Sequence, residues 1–249
     1  MGHFMDRKVV LITGGAKGIG AAIAKKFASL EFNIVINYLT SEKEANKLKE
    51  QLETFYQVEV MTIHADVKSE EEVKKMVKNT LERFGAIDVL INNAALCQDN
   101  YYYDKTQEEF LRVLNTNLVG SFLTCKHIGN HMLSEKKGTI INIASTNGID
   151  TMEVYSMDYD ASKAGVISLT KNFAKALAPF VRVNAVAPGW TNTDAVLEMN
   201  PDYLKEEEKK VLLERFASPE EIANVVAFLA SDEASYINSS IIRVDGGLK

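Results

Sequence analysis

The sequence predicts an α/β fold: a single doubly wound domain whose seven-stranded, mostly parallel sheet carries helices on both faces. Three observations predict it. Short β-branched apolar runs alternate with longer amphipathic runs along the chain. The apolar runs lack a strict in-out alternation, as strands buried on both faces do. A glycine-rich turn follows the first run and opens into an apolar helix, the order in which a parallel sheet begins its right-handed crossovers.

The first strand is Lys8 to Thr13 (KVVLIT), and the helix after the glycine turn runs from Ala21 to Leu30. Asn33 to Tyr38 (NIVINY) is the second strand. Ser41 with Glu44 reads as a capping box that starts the next helix, hydroxyl and carboxylate satisfying free backbone donors. Val58 to His64 (VEVMTIH) is the third strand, followed by the box Ser69/Glu72. Ile87 to Asn92 (IDVLIN) is the fourth, followed by Thr106/Glu109. Thr139 to Ala144 (TIINIA) and Val181 to Ala187 (VRVNAVA) are the fifth and sixth, separated by a helix through Tyr159 and Lys163. A long non-strand insertion, residues 189–218, is the expected substrate lid, and its run Glu206 to Lys210 reads as a solvated helix face. The last helix opens on Ser218/Glu221, with Pro219 where a missing N–H costs nothing, and Ser240 to Val244 (SIIRV) is the seventh strand. No linker or repeat interrupts this order, so residues 1–249 read as one domain.

Hydrophobic residues make up 46% of the chain and charged residues 25%, ordinary values for a soluble globular protein. A net charge of −6 with both signs interspersed argues against nucleic acid or an anionic membrane as partner. The longest apolar stretches, such as Val225 to Ala230, fall far short of the roughly 20 residues that cross a bilayer. The N-terminus has no charged-then-apolar signal, so the expected location is the cytoplasm. Cys97 and Cys125 form no Cys-x-x-Cys, and no histidines stand at ligand spacing; two idle thiols and no metal are expected.

Residues 13–20 read Thr-Gly-Gly-Ala-Lys-Gly-Ile-Gly. Gly14, Gly18 and Gly20 permit a tight turn and the close approach of a pyrophosphate, which the free N–H groups of the following helix would bind. Lys17 and Ile19 lie in the same turn. At the end of the second strand an acid would receive a ribose 2′-hydroxyl, but the chain has Asn37 and Tyr38 there. Lys17 supplies a cation for a 2′-phosphate, so NADP(H) is expected in preference to NAD(H).

Tyr159 and Lys163 stand four residues apart, on one face of a helix. Free tyrosine titrates near ~10, and a neighbouring ammonium is one of the few ways to bring it toward neutrality. Because the chain has nine tyrosines, the spacing alone proves little. Tyr155 has no lysine four residues on, which singles out Tyr159.

Together these motifs resemble the short-chain dehydrogenase/reductase family, whose members have a Rossmann domain of this size. Gly14, Gly18 and Gly20 fit its cofactor turn, and Asp66 with Val67 the pair that contacts adenine. Asn92-Asn93-Ala94 fits the motif ending the fourth strand. Asn117, Ser145, Tyr159 and Lys163 fit the catalytic tetrad. Pro188 and Gly189, with Thr191 and Thr193, fit the segment that holds the nicotinamide.

The resemblance implies an NADP(H)-dependent oxidoreductase of carbonyls or secondary alcohols. Tyr159 would be the acid/base, and Lys163 would lower its pKa and bind the nicotinamide ribose. Ser145 would polarise the carbonyl, and Asn117 would anchor a water linking Lys163 to solvent. It also implies a homotetramer built through the helices carrying Asn117 and Tyr159 and through C-terminal strand contacts; Gly120, Ala164 and Ala174 on those helices are small, which suits close helix approach and equally tight packing on the sheet.

Arg215-Phe216 before Ser218-Pro219-Glu220-Glu221, and the closing Val244-Asp245-Gly246-Gly247, are similar to bacterial 3-oxoacyl-carrier-protein reductases. That substrate is one alternative. Against it, the turn Ala176 to Phe180 offers no charge to an acidic carrier protein. A non-catalytic NADP(H)-binding regulator is another alternative, although no catalytic residue is missing. The wider tyrosine-to-lysine spacing of enoyl reductases is absent. Ala95 stands where relatives have glycine, and Tyr236-Ile237-Asn238-Ser239 replaces Tyr-x-Thr-Gly. The expected pocket lining, Ala95 to Tyr103, Thr146 to Tyr155 and Trp190 to Met199, includes Leu96, Tyr101, Tyr102, Met152, Trp190 and Leu197 and suits a flat or moderately hydrophobic substrate.

Overall fold

Val9, Val10, Leu11 and Ile12 each expose 1% or less of their surface, as a strand covered on both faces requires. In the computed structural model, which describes residues 7–248, these four form β1 (Val9–Ile12). The domain expectation for residues 1–6 and 249 lies outside the described residues. β1 pairs with β2 (Asn33–Tyr38) on one side and β4 (Val89–Asn92) on the other. With β3 (Val60–His64), β5 (Gly138–Ile143), β6 (Val181–Pro188) and β7 (Ile241–Val244), the sheet order is β3-β2-β1-β4-β5-β6-β7. Every ladder is parallel, so the expected "mostly parallel" sheet is wholly so.

Helices cover both faces because each parallel connection must cross back over the sheet. α1 (Gly18–Ser29), α2 (Glu42–Tyr56) and α9 (Pro219–Ala230) lie on one face, where Ile23, Phe27, Leu52 and Val226 pack with Val10 and Ile12. α3 (Glu70–Phe84), α5 (Gly120–Ser134) and α6 (Met157–Leu177) lie on the other, where Met76, Ile128 and Leu177 pack with Val9 and Leu11. Strand order reverses between β1 and β4, which opens a crevice at the carboxyl ends of these strands.

Two expected capping boxes close fully. At α4 (Gln107–Leu114) Thr106 and Glu109 cap each other's backbone, and at α9 Ser218 and Glu221 do the same. Ser69 accepts from the Glu72 amide, but the Glu72 carboxylate turns to the Asp66 N–H at 2.9 Å. At α2 the expected box does not form. Ser41 makes no side-chain cap, and the Glu44 carboxylate, which would close the other half of the box, is drawn 2.8 Å from the Lys17 ammonium.

The insertion contains α7 (Asp194–Leu197) and α8 (Pro201–Glu208). Its base is sewn to the sheet: the Ala217 N–H donates to Trp190 O, and the Leu212 and Leu213 N–H groups donate to Gly247 O and Gly246 O. Trp190 stacks on Phe216 with centroids 5.4 Å apart. The run Glu206 to Lys210 is not uniformly solvated. Glu207 is 9% exposed and accepts from Trp190 Nε1 at 3.3 Å and Lys210 Nζ at 2.5 Å. No helix of the described residues is long and apolar enough to cross a membrane.

Candidate active site

The glycine turn is held from two sides. Asn93 Nδ2 donates to the carbonyls of Thr13 and Gly14 at 3.1 and 2.9 Å, and the Thr13 hydroxyl accepts from the N–H groups of Asn93 and Ala94, both at 3.0 Å. From the other side the Gly14 N–H donates to Asn37 Oδ1 at 3.3 Å. The turn has no room for side chains. A Cβ on Gly20 would lie 2.5 Å from Gly14 O, and Gly18 has φ +51°, a backbone that L-residues rarely adopt. Lys17, the N-cap of α1, makes no side-chain cap, and the first turn carries no acid. The N–H groups of that turn thus meet no carboxylate, which fits a phosphate anion.

Around the turn the predicted cofactor residues divide. Thr193 lies over the glycines, its Cγ2 3.2 Å from where a Cβ on Gly18 would sit, so the start of α7 covers the turn. Ile19 is half-buried against the core. The Gly189 N–H donates to Val244 O, and Thr191, 5% exposed, bridges to Ala217, so Pro188 to Thr193 run from the end of β6 toward the turn. Asn37 faces inward: it is 2% exposed and its Nδ2 donates to Ala65 O at 2.9 Å, making it a brace of the turn. Tyr38 is half-buried and packs edge-on against His64. Asp66 is half-buried and accepts from the Lys68 N–H at 3.1 Å, while Val67 is buried under Gly120.

Ser145, Tyr159 and Lys163 converge at the carboxyl end of β5. Lys163 is 3% exposed and donates to Ile143 O at 2.7 Å, and its ammonium lies 5.4 Å from the Tyr159 ring centroid, over the ring. Burial brings the Lys163 pKa down to about 8. Burial pushes the Tyr159 phenol above its ordinary value, while a hydrogen bond with Ser145 pulls the other way. The expected lowering of the phenol by Lys163 is therefore not the dominant effect, because the ammonium faces the ring and is held by Ile143 O.

Asn117 sits in a π-helical turn, Asn115–Val119, between α4 and α5. It accepts from the Leu96 N–H at 2.7 Å, and its two amide protons go to Leu96 O and Ser162 Oγ at 2.9 and 3.0 Å. Its backbone carbonyl accepts from Ser121 Oγ. Local widening of a helix in this way recurs at functional sites.

A family model described as enoyl-(acyl carrier protein) reductase matches residues 14–249. A 3-oxoacyl-[acyl-carrier-protein] reductase of Staphylococcus epidermidis is 38% identical over 97% of this chain and 98% of its own length. The chain belongs to the short-chain dehydrogenase/reductase family. It is an NAD(P)-dependent oxidoreductase. Similar short-chain reductases of the same printed function occur in Aquifex aeolicus, 38% identical over 98% of both chains, and in Synechocystis, 37% identical over 98% of both. The crystal structure of the Brucella melitensis 3-oxoacyl-[acyl-carrier protein] reductase superposes with a TM-score of 0.92 at 29% identity, covering 99% of this chain and 93% of the other.

This short-chain dehydrogenase/reductase holds further residues at its site that motif reading missed. Asp158, immediately before Tyr159, is fully buried and accepts from Lys105 Nζ at 2.7 Å, while Lys105 also donates to Gln98 O at 2.8 Å. Asp158 Oδ2 is a buried oxygen without a partner among the described residues. Asp160, immediately after Tyr159, accepts from Asn147 Nδ2, the Glu153 N–H and Ser156 Oγ at 2.8, 3.0 and 3.3 Å. Cys97 is exposed, with its sulfur 3.5 Å from Asp99, and burial with the Asp99 charge pushes its thiol up to about 12, so it is uncharged near neutral pH. Nothing in residue spacing links Lys105 to Asp158, whereas Cys97 falls inside the segment expected to line the pocket.

Proposed function

We propose that the chain reduces a ketone to a secondary alcohol, or runs the reverse oxidation, using NADP(H) and Tyr159 as the acid/base. The convergence of Ser145, Tyr159 and Lys163 beside the glycine turn carries this reading. The cofactor, when bound, supplies or accepts the hydride. Gly14, Gly18, Ile19 and Gly20 would hold its pyrophosphate, Asp66 and Val67 its adenine, and Asn93, Ala94 and Pro188 to Thr193 its nicotinamide half. Lys17 would hold the 2′-phosphate after exchanging Glu44 for it, with Asn37 and Tyr38 shaping that end.

Burial keeps the Tyr159 phenol protonated at neutral pH, the state needed to give a proton to a carbonyl oxygen as it gains negative charge. Ser145 would donate to the same oxygen and orient it. Lys163, at about 8, changes charge near neutrality and can return a proton toward the phenol. Asn117 holds the Leu96 backbone and Ser162 in place around these groups, and residues 189–218 act as the lid. The names of the relatives give a 3-oxoacyl group on a carrier protein as the ketone those proteins reduce. Replacing Tyr159 with Phe should lower kcat for ketone reduction about 10²- to 10⁴-fold and leave NADPH binding intact, with NADPH bound more tightly than NADH by titration. Unchanged kcat in that variant would overturn the assignment.

A further inference from the structure

Three segments, residues 95–105, 146–155 and 189–218, contain the residues expected to line the substrate pocket together with the lid. Between them they carry eleven acidic and five basic side chains, a net −6, which is the net charge of the entire chain. The remainder of the protein is electrically balanced, so the net charge of the chain falls within these three segments, where Asp150 pairs with Arg243 and Asp202 with Lys205. Of the basic side chains there, Lys105 is buried against Asp158, Lys210 pairs with Glu207, Lys209 with Glu206, and Arg215 with Glu221.

The Cys97 sulfur lies 3.5 Å from Asp99 Oδ1. Tyr203 of α8 packs edge-on to Trp190 at 6.2 Å, and burial together with Glu207, Glu153 and Asp99 holds its phenol above the ordinary value. Asp99, Glu153 and Tyr203, one from each segment, therefore lie within electrostatic reach of one another. Tyrosines complete the rim: Tyr101 lies 4.8 Å from Tyr102 and 5.5 Å from Tyr155, all three exposed, and the Asn100 N–H donates to Tyr155 O. Lys136, which lies over Phe180, and Lys137 precede β5 and so sit at the opposite end of the sheet from the pocket.

We propose that this site selects an uncharged or cationic flat ketone and disfavours anionic substrates, including acyl groups delivered on an acidic carrier. This rests on the carbonyl-reduction reading above. Tyrosine faces attract flat rings and cations, and carboxylates around a low-dielectric opening repel anions before contact.

The test compares three aryl ketones on one scaffold, neutral, ammonium-bearing and carboxylate-bearing, together with a 3-oxoacyl thioester of an acidic carrier protein. Two readouts are taken: kcat/KM with NADPH, and equilibrium binding by fluorescence of Trp190, the sole tryptophan. The carboxylate compound and the carrier thioester should fall about tenfold or more below the neutral ketone in both. The gap should narrow in 0.5 M salt and in Asp99→Asn/Glu153→Gln, whose amides keep the hydrogen-bond acceptors. Equal or better use of the anionic substrates, or a gap indifferent to salt and to the double variant, overturns the proposal. If binding follows this charge order while no ketone is reduced, the selectivity holds and the redox reading falls.

Discussion

At the scale of single residues, Lys163 connects burial to a measurable pH dependence. Its folded-state value of about 8 lies below the ordinary lysine value of 10.5, so between these two the unfolded chain binds more protons. The cost of burying the charge is fully present below pH 8 and is relieved as pH rises toward 10.5. Denaturant unfolding of Lys163→Met and the parent chain checks this: the stability of the variant relative to the parent should fall by about 3 kcal/mol between pH 7 and pH 11. A difference independent of pH would mean that the amine is not desolvated in the native state. Tyr159 and Lys163 were legible because helical periodicity alone puts them on one face. Their electrostatics were not, since the ammonium's carbonyl partner, Ile143, lies 20 residues away on a strand. The internal partners of Asn37 were not legible for a similar reason: it donates to Ala65 O and accepts from the Gly14 N–H, contacts across 28 and 23 residues, and so holds the glycine turn from behind.

At the scale of elements, the capping boxes show where local sequence decides and where it yields. Ser218 and Glu221 have each other within reach, and the reciprocal cap forms. Ser41 and Glu44 have the same spacing, but Lys17 offers Glu44 a charged partner. Ser218→Ala should therefore cost about 1 kcal/mol, whereas Ser41→Ala should leave stability within a few tenths, both read by chemical denaturation. Equal losses would mean that the α2 cap forms in solution. The strands were legible almost to the residue because a two-sided buried strand leaves an uninterrupted apolar run; β2 matches its expected limits at both ends. The π-helical turn at Asn115–Val119 was not, because the bonds Asn117 makes there reach Leu96, a contact across 21 residues that local sequence does not show.

At the scale of the whole molecule, the exposed apolar face on α5 and α6 bears on assembly. Phe122 is 41% exposed and lies 6.0 Å from Phe173, with Val119 and Ala164 also exposed nearby. Gly120 and Ala174, two of the small residues expected at such a contact, are used within the protomer instead, against Val67 and in the core. We expect light scattering to give a four-chain mass and Phe122→Glu to give a smaller particle with unchanged circular dichroism. A parent chain that is already monomeric would leave that face without this role. The parallel sheet with helices on both faces followed from strand-helix alternation and crossover handedness, which is why the fold class was readable without any tertiary information.

The two carboxylates that flank Tyr159 reach this largest scale as well. Asp158 anchors the wall at residues 98–105 through Lys105, and Asp160 anchors the wall at residues 147–156. The Tyr159 phenol and both walls thus share one three-residue mount on α6. Anyone grafting a foreign loop here to change specificity must import its anchor too: a cation for Asp158, or amide and hydroxyl donors for Asp160. A graft lacking them would strand a charge beside the phenol and change the chemistry while trying to change only the fit.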